Sequence, residues 1–103
     1  MSEIQEIEKL RGELDQIHTE LTDLLRQRLV ITEKIWKIKV EKQLPFTDEK
    51  RELAIFHRFD DTIPEAAERS AIQNILRSIV GESKKYNEMK LSQQQPEKTS
   101  NEN

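Results

Sequence analysis

From Ile7 to Ile38 an aliphatic residue recurs at alternating steps of three and four, through Leu10, Leu14, Ile17, Leu21, Leu24, Ile31 and Ile35, and Arg28 alone interrupts the series. Only a helix brings such positions onto one stripe. Around this seam, from Ile4 to about Val40, no helix breaker occurs apart from Gly12. Gln43-Leu44-Pro45 ends the run, because the residue before a proline is pushed out of helical geometry. The spacing therefore predicts a first helix over about 3–42. At 1.5 Å per residue it would extend roughly 55–60 Å, which is longer than a compact domain of this chain length is wide. Part of the stripe must pack on something other than its own chain, and a partner subunit meets that need most simply.

Arg28 sharpens the requirement. A lone guanidinium buried in an aliphatic seam is strongly unfavourable unless it is paired, and the adjoining seam positions, Leu24 and Ile31, offer no acid. An anion from outside the seam is expected to complete the site.

The chain has 103 residues, 34% hydrophobic and 36% charged, which suits one small domain that buries little of its own surface. With two Gly and three Pro in all, an all-α bundle is the expected class. Seventeen basic residues are interspersed with twenty acidic ones for a net charge of −3, which argues against nucleic acid as a partner. Without cysteine there is no disulfide or thiol chemistry, and two isolated His residues argue against a zinc site. MSEIQEIEKL carries neither a basic n-region nor an apolar h-region, and no stretch approaches a membrane span. A soluble, cytoplasmic protein with no metal and no membrane partner is the expectation.

Two shorter helices follow. Thr47 is placed to cap a second over about 47–60, with Asp48 and Glu49 in its first turn and Leu53, Phe56 and Phe59 as its stripe. Thr62-Ile63-Pro64-Glu65 has capping-box spacing and opens a third over about 63–91, with Ile72, Leu76, Ile79 and Val80 on its apolar face. These make one domain over 1–91. From Ser92 the sequence SQQQPEKTSNEN is polar and aperiodic, and a disordered tail over 92–103 is expected.

Arg11 and Lys39 stand beside the seam, just after Leu10 and Ile38, so together with Arg28 they make three cations on one face. Each of the two could equally be a snorkelling flank residue. Arg11 and Arg28 are seventeen positions apart, or about 25 Å along a straight helix, too far to grip one small molecule together. If two copies of the first helix pack antiparallel about a two-fold axis near residue 22, position n of one faces about 45 − n of the other. Arg11 of the partner subunit then arrives opposite residue 34 or so, between Arg28 and Lys39, and the dimer makes two identical shared sites. Asp48, Arg51 and Glu52 at i, i+3 and i+4 form either a solvated ion-pair face or part of that site. Ser83 and Asn87 continue the line of Leu76 and Val80 on the third helix, where a buried polar group needs a partner. His18 and His57 are read as surface residues and Trp36 as packing beside the seam. No serine or cysteine nucleophile stands beside a base, and no glycine loop could cradle a phosphate.

Arg11, Leu24-Leu25-Arg26-Gln27-Arg28, Lys39, Pro45-Phe46-Thr47-Asp48-Glu49-Lys50-Arg51-Glu52, and Ser83 with a polar residue four later resemble the all-helical chorismate mutase family. The resemblance spans the first helix, the loop, the second helix and the end of the third. It implies an all-α fold of three helices, one very long, forming an intertwined antiparallel homodimeric bundle. It also implies a pericyclic Claisen rearrangement of the dianion chorismate to prephenate in phenylalanine and tyrosine biosynthesis, with no cofactor. By the family's pattern, Arg11 of the partner subunit and Arg28 would hold the carboxylates, with Ser83 assisting. Lys39 would donate to the ether oxygen, Glu52 and the Asp48 backbone would hold the ring hydroxyl, and Arg51 would orient the site. The chain departs from the pattern at Asn87, one methylene shorter than the family's usual glutamine or glutamate, the second partner of the ether oxygen.

Isochorismate-pyruvate lyases and mutases of 4-amino-4-deoxychorismate share this scaffold, and Glu52 would accept a hydrogen bond from an amine as from a hydroxyl. A non-catalytic dimerisation module, with Arg28 enforcing register, is the reading from a different class. Registry alone does not call for Lys39, Asp48, Arg51 and Glu52.

Overall fold

The computed structural model describes residues 2–94. They form three helices, α1 Glu3–Lys42, α2 Glu49–His57 and α3 Ala66–Gln94, and no strand occurs among the described residues. The polar tail expected from Ser92 begins inside α3, and its residues 95–103 lie outside the described residues. None of the described helices is long and apolar enough to cross a membrane. The chain divides into two compact units after Lys34.

The first unit is the helical run of α1 up to Lys34. Its start is held by a capping box that the seam did not reveal. Ser2 Oγ accepts from the Gln5 amide at 3.2 Å while Gln5 Oε1 accepts from the Ser2 amide at 3.0 Å, satisfying two N–H groups left over at the helix end. Glu3 and Glu6 set negative charge against the positive end of the helix dipole. The polar flanks are stitched along the axis by Arg11–Glu8 at 3.1 Å and by Gln27 Nε2 donating to Asp23 Oδ2 at 2.9 Å. Meanwhile the seam stays open. Leu10, Leu24 and Ile31 are 61%, 60% and 57% exposed, and α1 buries no side chain.

The second unit begins with the last turns of α1. That helix stops in a Schellman motif, with the Leu44 amide donating to the Lys39 carbonyl at 2.9 Å and the Gln43 amide to the Val40 carbonyl at 3.3 Å. Gln43 takes the left-handed conformation, φ 57°, that this closure requires and that glycine usually supplies. Lys39 and Lys42 complement the negative end of the dipole.

Both later helices start further on than the sequence suggests. Asp48, not Thr47, caps α2: its backbone is extended (φ −122°, ψ 92°) and its side chain accepts from the Arg51 amide at 3.0 Å. A carboxylate at this position also answers the helix dipole, which a hydroxyl does not. Thr62 is likewise not a cap, because its hydroxyl donates back to the Phe59 carbonyl at 3.2 Å. Glu65 takes over, accepting from the Glu68 amide at 3.2 Å, while Arg69 Nη1 donates to the Ile63 carbonyl at 2.9 Å and fixes the approach. α2 ends at His57 rather than near residue 60, and α3 runs on to Gln94.

α2 packs against α3. The Arg77 guanidinium lies 4.9 Å from the centre of the Phe56 ring, and Gln73 Nε2 donates to Asp60 Oδ1 at 3.0 Å. Ile55 and Phe56 supply the half-buried face of α2, while Leu53 is 57% and Phe59 41% exposed, so of the expected Leu53-Phe56-Phe59 stripe Phe56 alone is half-buried. Leu76, Ile79 and Val80 are half-buried as the face of α3, and Ile72 is at its exposed margin.

Candidate active site

Among the described residues no apolar side chain is buried, and the two buried residues are both polar. They are Ser83, 6% exposed, and Asn87, 3% exposed, one turn apart on α3. Ser83 Oγ donates to the Ile79 carbonyl at 2.8 Å, a back-bond that fixes its rotamer. Asn87 differs: its Oδ1 is buried with no hydrogen-bond partner among the described residues. An unsatisfied buried amide atom costs about 1–3 kcal/mol, and the fold keeps it there.

Glu52 faces the same stretch of α3. Its carboxylate is paired with the Lys84 ammonium, next to Ser83, in an ion pair that joins α2 to α3. Its amide donates to the Asp48 carbonyl at 3.0 Å, so the turn that Asp48 caps also fixes the backbone of Glu52. Arg51, on the same turn, is exposed.

Lys39 comes from the last turn of α1. Its ammonium donates to the Phe46 carbonyl at 3.1 Å, and the Phe46 ring stacks on Trp36 with centroids 4.3 Å apart and planes 12° from parallel. Trp36 is one helical turn before Lys39, so the stack clamps the loop that reaches back to the lysine. Trp36 is therefore more than seam packing, and its Nε1 is buried without a partner among the described residues. The carbonyl takes one of three N–H donors on the ammonium, and the others can serve a second acceptor.

Arg11 and Arg28 belong to the first unit. Arg11 is exposed and pairs with Glu8 on its own helix, a pair that screening makes weak and easily exchanged. Arg28 is half-buried. Nearby on α1, His18, Thr19, Thr22, Asp23 and Arg26 line a depression mostly open to solvent. It contains none of the expected site residues, and being so open it is a flank of the helix rather than a site.

Lys84 and the Trp36–Phe46 stack are the contributions that sequence reasoning missed. Residues 52 and 84 share no helical period, so nothing short of the α2–α3 packing relates them. Trp36 gave a weaker sign, standing three positions before Lys39.

No curated protein and no solved structure matches the chain. A family model does match over residues 10–88, from just before Arg11 to just past Asn87, and its description is chorismate mutase type II. With most of its length covered, including every position singled out above, the chain belongs to the chorismate mutase type II family, which is a family of isomerases.

Proposed function

We propose that the chain converts chorismate to prephenate in a site shared by the two subunits of a homodimer. The observation that carries this reading is the buried Oδ1 of Asn87, without a partner among the described residues, beside Ser83 in a chain that otherwise buries no side chain among its described residues. An amide can turn over to present Nδ2 in place of Oδ1 with little steric change. It then donates to an arriving acceptor, as the ether oxygen of chorismate requires.

The dimer follows from the open seam. Ile7 and Ile38, Leu10 and Ile35, Leu14 and Ile31, Ile17 and Arg28, and Leu21 and Leu24 are each symmetric about the point between residues 22 and 23. An antiparallel second copy in that register sets each seam position against another, and burying one such aliphatic side chain in full is worth about 1.5–3 kcal/mol. The same register carries Arg11 of the partner subunit to the stretch between Arg28 and Lys39.

In this site the two arginines grip the two carboxylates of the substrate through charge-assisted, bidentate hydrogen bonds, with Ser83 assisting. Holding both ends selects the compact chair in which the two terminal carbons meet, so orientation is settled before bonds change. As the ether C–O bond breaks ahead of C–C formation, negative charge gathers on the oxygen. Lys39 and Asn87 lie ready for that charge, and preorganised donors stabilise it more than water does. Glu52 and the Asp48 backbone hold the ring hydroxyl, and Arg51 supports their turn. The rearrangement moves no proton, which suits a site with neither base nor nucleophile.

Following chorismate loss and prephenate formation with purified protein tests the reading, with isochorismate and 4-amino-4-deoxychorismate as parallel substrates. Prephenate is the expected product; pyruvate release from isochorismate with no turnover of chorismate would overturn it. Asn87 sharpens the test. If its reach limits transition-state contact, Asn87→Gln raises kcat with little change in KM, and an unchanged kcat shows that the shorter side chain is not limiting.

A further inference from the structure

We propose that Lys84 sets which ring substituent the site accepts, favouring a neutral hydroxyl over a cationic amine. The proposal rests on the reading of Glu52 as the group that faces this substituent.

The Lys84–Glu52 pair differs in kind from three other ion pairs among the described residues. Arg11–Glu8, His57–Asp60 and Lys85–Glu82 are all i,i+3 neighbours on exposed surface. Lys84 and Glu52 come from different helices, and their side chains are 35% and 22% exposed, so tertiary packing builds the pair and solvent screens it less. Lys84 also directly follows Ser83, and Asn87 is three positions further on, so on α3 the residue adjoins the two buried polar residues.

A carboxylate with a cation on Oε1 still offers Oε2. A hydroxyl donates to that oxygen with no change in net charge, and the ammonium of Lys84 holds the carboxylate in place while it does so. A protonated amine on the ring would put a second cation against a carboxylate whose charge is already balanced. Two ammonium groups on one carboxylate stand only a few ångströms apart, a distance at which like charges repel appreciably in a partly buried site. Lys84 acts through Glu52, as a positioning residue that turns a permissive acceptor into a selective one.

The test is the ratio of kcat/KM for chorismate to that for 4-amino-4-deoxychorismate, measured near neutral pH on the full chain and on Lys84→Met, Lys84→Gln and Lys84→Arg. Damage to the fold lowers both rates together and leaves the ratio alone. Wild type and Lys84→Arg are expected to favour chorismate, and each neutral variant to reduce the ratio by about tenfold or more, in keeping with removal of one like charge at close range. The change should appear as a lower KM for the amine. Lys84→Gln carries the measurement if Lys84→Met does not fold. Equal ratios in the wild type and the folded neutral variants, with chorismate still rearranged, overturn the role of Lys84 and leave the mutase reading standing. A wild-type protein that rearranges neither substrate overturns both.

Discussion

Lys39→Ala is expected to yield a folded helical protein that loses about 10²–10³ in kcat, corresponding to about 2.7–4 kcal/mol of barrier, the usual loss when one donor to a developing oxyanion is removed. The fold survives because the side chain is only half-buried and its hydrogen bond is to a loop carbonyl, that of Phe46, rather than to a core group. The catalytic loss is large because charge develops on the ether oxygen only as the C–O bond breaks. A donor whose contact strengthens there lowers the barrier and hardly changes ground-state binding, so kcat falls and KM moves little. Circular dichroism and steady-state kinetics on one preparation check both halves. Near-wild-type turnover by folded Lys39→Ala would remove the lysine from the mechanism.

Arg28→Ala is expected to have the second large effect and a different signature. A guanidinium on a substrate carboxylate acts before and during the rearrangement, so both kcat and KM suffer. Truncating one member of a desolvated charge pair costs about 2–5 kcal/mol, and the loss is expected in kcat/KM. Lys at position 28 should recover little, because an ammonium lacks the planar fork that meets both carboxylate oxygens. Full recovery by Arg28→Lys would mean that bare charge is enough.

The first helix was legible in the sequence because its signal is internal. Steps of three and four from Ile7 to Ile38 require no tertiary context, and the proline at 45 marks the exit. The helix ends were harder wherever adjacent residues compete. Thr47 and Asp48 can both cap, and the carboxylate prevailed, while Thr62 lost to Glu65 because its hydroxyl is turned back to Phe59. Gln43 gave no sign of its left-handed backbone, since glutamine seldom adopts it.

The candidate site was legible only where residues share an element. Ser83 and Asn87 are readable as a polar pair on an apolar line, and Asp48, Arg51 and Glu52 as one turn. The burial of Ser83 and Asn87 and the unsatisfied Asn87 Oδ1 come from packing, which spacing does not encode. Lys84 was invisible for the same reason, since it meets Glu52 across two helices. The stacking of Phe46 on Trp36, which sets the Phe46 carbonyl before Lys39, depends on a loop conformation that no periodic pattern specifies.

Mixing two inactive variants tests directly whether each site draws its cations from both subunits. Arg11→Ala and Arg28→Ala should each be nearly inactive alone, because every site in either homodimer lacks one arginine. After unfolding and refolding together in equal amounts, half of the dimers should be mixed, and one of the two sites in each would regain both arginines, so activity returns to about a quarter of wild type. If mixed dimers form, as differently tagged chains would show, and activity stays at the level of the separate variants, the two arginines do not meet in a shared site.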